Sequence, residues 1–270
     1  MSEVDWTSYD EVAETYDAVS VPHYFARPAE RLVVLLGISR GDRVLDVGAG
    51  TCVAAAAAAR FGAHVIAADP SWAMLLLGRT RGVEVAVVAR LPLLPFADAS
   101  FDRISASFVL NHLADPSGAL GGLRRVLAHS GRLAVTSWAV GPSDNEIGKL
   151  WNETAREFVD QEILDEQVGK ALSGERRLAE PGYLRDLLSS AGLSVDSVRQ
   201  IEFPISISVE DYLTSRSLAM TARFMKKTLP DERWRQFEQT AERQVLARFG
   251  RQLELTALVN FAVAAKQPAR

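Results

Sequence analysis

The sequence predicts an α/β fold: a mostly parallel sheet of seven strands, with helices on both faces and a helical cap. Three observations predict it. Short β-branched runs alternate with helical segments up to Gly141. A glycine turn, Gly48-Ala49-Gly50, closes the first of those runs. The chain of 270 residues is 48% hydrophobic and 24% charged, enough for one large domain or a core domain with a cap. Strands and helices alternating at this length imply right-handed crossovers and a parallel sheet covered on both faces. Such sheets bind ligands outside the carboxyl ends of their strands, near the topological switch point.

In order along the chain, Arg43–Val47 is the first strand. Val53 and the alanines Ala54 to Ala59 form a helix that Gly62 ends. The second strand, His64–Ala68, stops at Asp69-Pro70-Ser71, where proline and serine start another helix. Val83–Val88 reads as the third strand, Arg103–Phe108 as the fourth, Leu120–Leu127 as an amphipathic helix and Arg132–Trp138 as the fifth strand. After Gly141-Pro142 the rhythm changes. Glu146–Phe158 and 161–172 are helical with no strand between them, Pro181–Ala191 is helical, and Leu193–Pro204 is the sixth strand. Helices follow around Val209–Leu213, Ala219–Lys227 and Asp231–Arg248, and Leu253–Lys266 is the last strand. The surplus of helix reads as a cap over the ligand mouth.

Composition excludes several functions. Thirty Lys and Arg against 34 Asp and Glu leave a net charge of −4, without the basic excess of a protein that binds nucleic acid through phosphates. A single cysteine, Cys52, rules out an internal disulfide and a cysteine-rich zinc site, which fits a reducing compartment. Residues 1–16 are acidic and lack the apolar stretch of a signal peptide, and no apolar run approaches the roughly 20 residues of a membrane span. The expectation is a cytoplasmic protein with no membrane or nucleic-acid partner. The four histidines show no metal-ligand spacing, so no metal is expected.

The loop Gly48-Ala49-Gly50-Thr51-Cys52 lies between a strand and a helix, where backbone can approach a ligand closely. A dinucleotide-binding loop would need a third glycine where Val53 stands. Asp69, at the end of the second strand, suits ribose hydroxyls. Asp46, just before the loop, sits better beside an ammonium or sulfonium than beside a pyrophosphate.

These residues resemble the class I S-adenosylmethionine-dependent methyltransferases of Rossmann-like fold. The resemblance rests on Val44-Leu45-Asp46-Val47-Gly48-Ala49-Gly50-Thr51, on Asp69, on Leu94-Pro95-Phe96-Ala97-Asp98-Ala99-Ser100-Phe101-Asp102, and on Arg125-Val126-Leu127 with Ser130-Gly131. The leading segment Ala13-Glu14-Thr15-Tyr16-Asp17 is similar to the family's amino-terminal lid. The resemblance implies S-adenosylmethionine as cofactor. Gly48, Ala49 and Gly50 would line it, Asp46 would orient its amino group indirectly, and Asp69, with Pro70 beside it, would take the ribose. Tyr16 would cover the methionine end, and Ser107-Phe108-Val109 would pass beneath the sulfonium. Two positions depart from the family pattern. Cys52 stands where a third glycine is usual, and Ala89-Arg90 lacks the acid that holds adenine, leaving backbone and Leu91 for that task. The implied division is a helical lid over 1–30, a cofactor-binding core over 31–140, a helical cap insertion over 141–180, and the rest of the sheet over 181–270 with further cap helices at 205–250. On this reading a side chain at Gly48 would occupy the cofactor's space and leave the fold intact.

Methyl transfer from a sulfonium is an in-line displacement, and a base is needed only when the nucleophile arrives protonated. His112, just past the fourth strand, is placed for such a base, or packs under the cofactor as structure. His23 in the lid could face substrate, or sit in a solvated turn. His64 and His129 read as structural, and Cys52 as a packing residue. Trp138, Trp151, Phe158, Tyr212, Phe224, Met220 and Met225 are core or line an apolar substrate pocket. The segment Asn111-His112-Leu113-Ala114-Asp115-Pro116 lacks the Asp/Asn-Pro-Pro-Tyr/Phe signature of nucleic-acid amino-methyltransferases. The resemblance therefore points to a small-molecule methyltransferase of the type found in natural-product biosynthesis, with the acceptor atom left open among oxygen, nitrogen and carbon. Two other readings stand beside it: an enzyme of the same fold that performs a cyclisation or isomerisation, and a non-catalytic partner protein, dimeric through its cap.

Overall fold

Strand β1 (Arg43–Val47) lies mid-sheet, and the other strands are laid out on either side of it. They are β2 (His64–Asp69), β3 (Val85–Val88), β4 (Phe101–Ser107), β5 (Leu127–Trp138), β6 (Leu193–Ser208) and β7 (Gln252–Lys266), in the order β3-β2-β1-β4-β5-β7-β6. The structure, a computed structural model, describes residues 8–139, 144–160, 162–164, 166 and 175–266. Strands β1 to β5 run parallel, and β7 is antiparallel to both β5 and β6. The strand order reverses between β1 and β4. The turns after these two strands therefore open onto the same crevice at the carboxyl edge.

One face of the sheet is covered by α1 (Ala26–Leu36) and α2 (Val53–Ala59), whose Leu32, Leu36, Ala54 and Ala58 pack with Val44, Phe108 and Phe261. On this side α3 (Trp72–Arg79) adds Leu75, packed with Cys52, Ala55 and Val83. The other face is covered by α4 (Pro116–Val126) and α7 (Pro181–Ser190), through Leu120, Leu123, Leu184 and Leu188. Helix α5 (Asp144–Arg156) follows β5, and α6 (Glu175–Leu178) precedes α7. Helices α8 (Val209–Ser217), α9 (Met220–Thr228) and α10 (Asp231–Phe249) connect β6 to β7. A separate apolar cluster joins α5, α9 and α10 through Trp151, Met225 and Phe237.

Most expected elements are present, with shifts that have physical reasons. Helix α4 starts at Pro116 rather than Leu120, because proline suits the first turn and Asp115 accepts a hydrogen bond from the Gly118 N–H at 3.0 Å. Strand β6 continues past Pro204 to Ser208; it is an outer strand, so the missing donor costs no sheet hydrogen bond. The helix expected over 161–172 falls largely outside the described residues. The amino-terminal segment is a 3-10 turn (Asp10–Val12), one α turn (Ala13–Thr15) and a widened helix (Tyr16–Phe25) around Pro22, which ends with the Ala26 N–H donating to the Val21 carbonyl.

The polar residues of the sequence motifs hold loops in place. Arg125 on α4 donates to the Phe96 carbonyl (2.7 Å), the Leu94 carbonyl (2.8 Å) and Asp98 (2.7 Å), which fixes the loop between β3 and β4. Asp102 is gripped by Arg43 through its backbone N–H and two guanidinium bonds, and this holds its carboxyl down to about 2. Buried Asn260 on β7 donates to the carbonyls of Leu178 and Ala179, both at 3.0 Å, and so seats α6 where the end of β5 meets the middle of β7. Replacing Arg125 by Met should strip three acceptors of a charged donor and lower unfolding stability by about 1–3 kcal/mol in urea titration.

Candidate functional site

Three residues of the turn after β1 take left-handed backbone angles: Gly48 (φ 62), Gly50 (φ 54) and Cys52 (φ 63). The usual glycine at the position of Cys52 thus has a conformational reason. Cys52 is fully buried, and a Cβ on Gly78 of α3 would lie 2.2 Å from its Sγ, so glycine at 78 is what admits the thiol. Burial, with Asp46 next, pushes that thiol up to about 12, leaving it a protonated packing group and not a nucleophile. The expectation for Gly48 is corrected. A Cβ there would lie 2.4 Å from Val109 Cγ2 and 2.6 Å from its Cβ. Glycine is required because the segment after β4 packs directly on the turn, so a side chain at Gly48 strikes the fold itself.

Two carboxylates flank the turn. Asp46 is 1% exposed; it accepts from Ser105 Oγ on β4 (2.6 Å) and from the Ala55 N–H of α2 (2.9 Å). Among the described residues it has no cationic partner. Burial raises its carboxyl to about 7, against the pull of those two hydrogen bonds and with a small push from Asp69. Asp69 accepts from the N–H groups of Gly50 and Ser71, each at 2.8 Å, and so holds the turn against the end of β2. Burial raises its pKa as well, and Arg90 opposes the rise through its charge.

Asp46, Gly48, Ala49, Gly50, Thr51 and Ser107 line one cavity with Tyr16, Val21 and Phe25 of the amino-terminal segment. Its volume is about 50 Å³, well below the roughly 300–1,000 Å³ of ligand pockets. A ligand group larger than this cavity would need the amino-terminal segment to move outward. That segment is held by polar contacts. Asp10 accepts from Ser71 Oγ (2.6 Å) and the Ala73 N–H (3.1 Å) at the start of α3, and Asp17 pairs with Arg81 at 2.7 Å. Arg81 also donates to the Thr51 carbonyl in the turn (3.1 Å).

Not every candidate meets at this cavity. Phe108 is buried behind it in a left-handed conformation (φ 58), stacked on Trp138 at 4.2 Å and edge-on to Phe25. Leu91 lies past Asp69 in a second, open cleft of about 490 Å³, which Val88, Ala89 and Arg90 also line; Pro70 is exposed. His23 faces α8, with its Nε2 3.7 Å from Asp211. His112 stands apart from it, its ring edge-on to Tyr9 at 5.8 Å. The His112 side chain is reachable by solvent although its surroundings are crowded; desolvation by those neighbours, and then the Arg223 cation on α9, lower its pKa, so it is neutral at pH 7. Arg223 in turn sits 4.9 Å over the Tyr9 ring and donates to the Ser8 carbonyl.

Two residues of interest escaped the sequence reading. Asn111 is 1% exposed, and among the described residues neither its amide nitrogen nor its oxygen has a partner; the Thr51 hydroxyl is buried in the same condition. Buried polar groups are normally paired, so such atoms have hydrogen bonds left for a ligand or a water to make. Asn111 adjoins His112 in the chain, and that adjacency was the available signal. Arg223 gave none, being remote in sequence.

The sequence pattern of a family described as methyltransferase domain matches residues 45–135. Two solved structures share the architecture at low identity. Haemonchus contortus phosphoethanolamine N-methyltransferase 2, in complex with S-adenosyl-L-methionine, is 16% identical with a TM-score of 0.59, over 99% of this chain and 61% of that one. The 4+2 cyclase SpnF is 16% identical with a TM-score of 0.58, over 97% of each chain. The fold is that of the class I methyltransferases. A curated relative, demethylmenaquinone methyltransferase from Mycobacterium sp. (strain KMS), is 36% identical over 148 residues, 54% of this chain and 64% of that protein. Less than two thirds of that relative's length is matched.

The cofactor that the class I fold implies is S-adenosylmethionine, and the residues present suit its chemistry. A buried carboxylate without a cationic partner among the described residues, a Thr51 hydroxyl unpartnered by any of them, and a turn in which the Cβ position of Gly50 meets none of them within 4 Å together fit a cationic nucleoside. The free protein holds Asp46 mostly protonated below pH 7, and a cation favours its ionised form. Affinity for S-adenosylmethionine should therefore rise several-fold from about pH 6 to about pH 8, with proton release on binding. Asp46→Asn should remove the part of that slope that belongs to this carboxylate, as read by calorimetry in buffers of different ionisation enthalpy.

Proposed function

We propose that the chain is an S-adenosylmethionine-dependent methyltransferase acting on a small-molecule metabolite, moving the methyl in line from sulfonium to nucleophile. The observation that carries this reading is Asp46, a carboxylate buried beneath the glycine turn with no cationic partner among the described residues. Bound there, the cofactor would supply an electrophilic methyl group. Gly48, Ala49 and Gly50 would line it, Asp69 would hold the ribose, and Leu91 would border adenine in the apolar cleft. Tyr16 and Phe25, stacked at 5.2 Å, would close over the methionine end and exclude water.

The surroundings of His112 narrow the acceptor. A neutral imidazole of lowered pKa is a weak base, and Arg223 beside it favours negative charge. An acidic acceptor, such as a phenol or enol, suits this pair better than an amine, whose ammonium form Arg223 repels. The relative named demethylmenaquinone methyltransferase makes demethylmenaquinone, in its reduced form, the first acceptor to try. A second reading, a methyl-independent cyclisation or isomerisation, is favoured by Arg90 standing where an adenine-binding acid is usual.

The test is calorimetry with S-adenosylmethionine and its demethylated product, then transfer of labelled methyl to reduced demethylmenaquinone, to phenols and to amines. Micromolar binding and label in a phenol or enol are expected. Absence of binding would overturn the methyltransferase reading, and turnover without gain of a methyl would favour the second one. His112→Ala should lower kcat about 10²-fold while leaving cofactor affinity nearly unchanged. Asn111→Leu should raise the acceptor KM more than it lowers kcat.

A further inference from the structure

Among the described residues that line the open cleft of about 490 Å³, Arg90 alone has a polar side chain. The cleft is held in shape from two directions. Arg90 bridges Leu93 antiparallel across the turn Leu91-Pro92, and residues paired in this way send their side chains to one face. That turn is seated on α4: a Cβ on Gly122 would lie 2.3 Å from the Pro92 carbonyl oxygen, so only glycine lets the helix approach so closely. Arg125 fixes the far end of the same stretch through the Leu94 carbonyl. Arg90 itself is exposed, and among the described residues its guanidinium is in no hydrogen bond or ion pair. Its charge still reaches Asp69, whose carboxyl it draws down against the effect of burial. The guanidinium therefore stands near the carboxylate given to the ribose, at the rim of the cleft given to the base.

A guanidinium carries five N–H donors in a planar fork and no acceptor. It has nothing to offer the 6-amino group of adenine, which is itself a donor. The same edge of a 6-oxopurine presents two acceptors, O6 and N7, spaced for two parallel N–H bonds, as in the pairing of arginine with guanine. We propose that Arg90 reads the base, so that this cleft takes an S-inosyl ligand at least as well as an S-adenosyl one; the inference rests on the cofactor reading given above. Adenine still enters, with N7 alone accepting from Arg90, and S-adenosylmethionine remains a cofactor. Oxygen in place of the 6-amino group adds the second bond and removes the opposition of two donors. Val88, Leu91 and Leu93 supply apolar surface without regard to the substituent, which leaves the discrimination to Arg90.

Calorimetric titration of the whole chain with S-adenosylhomocysteine and with S-inosylhomocysteine tests this, on the wild type, Arg90→Met and Arg90→Glu, with far-UV circular dichroism to confirm that each variant is folded. The two ligands share their ribose and amino-acid tail, so a change at Asp46 or Asp69 moves both alike, and the ratio of affinities isolates the base. The wild type should bind the inosyl ligand as tightly as the adenosyl one or more tightly. Arg90→Met should weaken the inosyl ligand about tenfold and the adenosyl ligand less. Arg90→Glu, whose carboxylate accepts from a 6-amino group, should turn the preference to the adenosyl ligand. A wild type that prefers the adenosyl ligand, or one ratio shared by all three proteins, would overturn the proposal and leave the cofactor reading in place. Binding of neither ligand to the wild type would overturn both.

Discussion

The bond pattern of Asp46 is the constraint on which the rest of the structure depends. Its two oxygens tie β1 to β4 through Ser105 and to the first turn of α2 through the Ala55 N–H. These three elements meet at the point where strand order reverses, and one side chain fixes their relative positions. The position is costly for a charge, since burial penalises the ionised form and none of the described residues supplies a cation. The fold thus keeps, at its own switch point, a demand for positive charge that a ligand can meet. The close contact of Gly48 with Val109 serves the same meeting of strands, because it lets the turn after β1 lie directly on the segment after β4.

The amino-terminal segment is bound to this centre by few but specific contacts. Arg81 reaches both Asp17 of that segment and the Thr51 carbonyl of the turn. Asp10 completes the amino end of α3 from outside that helix. Closure over the turn is thus coupled to the turn's own conformation, and opening one loosens the other. The widened helix around Pro22 suits a part that must move, since its hydrogen bonds are already irregular.

Much of this was legible in the sequence because it is punctuated locally. Glycine and proline mark the ends of β1, α2 and β2, and the apolar run of β7 declares itself. Asp46, Asp69 and the glycine turn could be placed at one site because strand ends in a parallel sheet share an edge, whereas Tyr16 was placed only through the resemblance of its segment to a family lid. What could not be read depends on contacts between distant residues. Nothing near Gly48 says that Val109 will lie against it. Nothing near His23 says that Asp211 will draw it toward α8, away from His112. Pro204 reads as the end of a strand until the sheet order shows that its strand is an outer one. Arg223 reaches the neighbourhood of His112 from a helix more than a hundred residues later in the chain.

The path of the chain between β6 and β7 has a consequence for how such a protein can change. Ser208 pairs with Gln252 across the two strands, and the Val209 N–H donates to the Arg251 carbonyl at 3.0 Å. Everything from α8 to α10 therefore leaves the sheet and returns to it at adjacent residues, so the excursion is closed at its base. A closed excursion can be replaced without altering the register of the strands that carry it. Arg223 belongs to this detachable part, whereas Asp46, Asp69 and the glycine turn belong to the sheet. The architecture thus separates the switch-point carboxylates and their turn from Arg223, and the part that carries Arg223 can be exchanged by grafting while the sheet stays as it is.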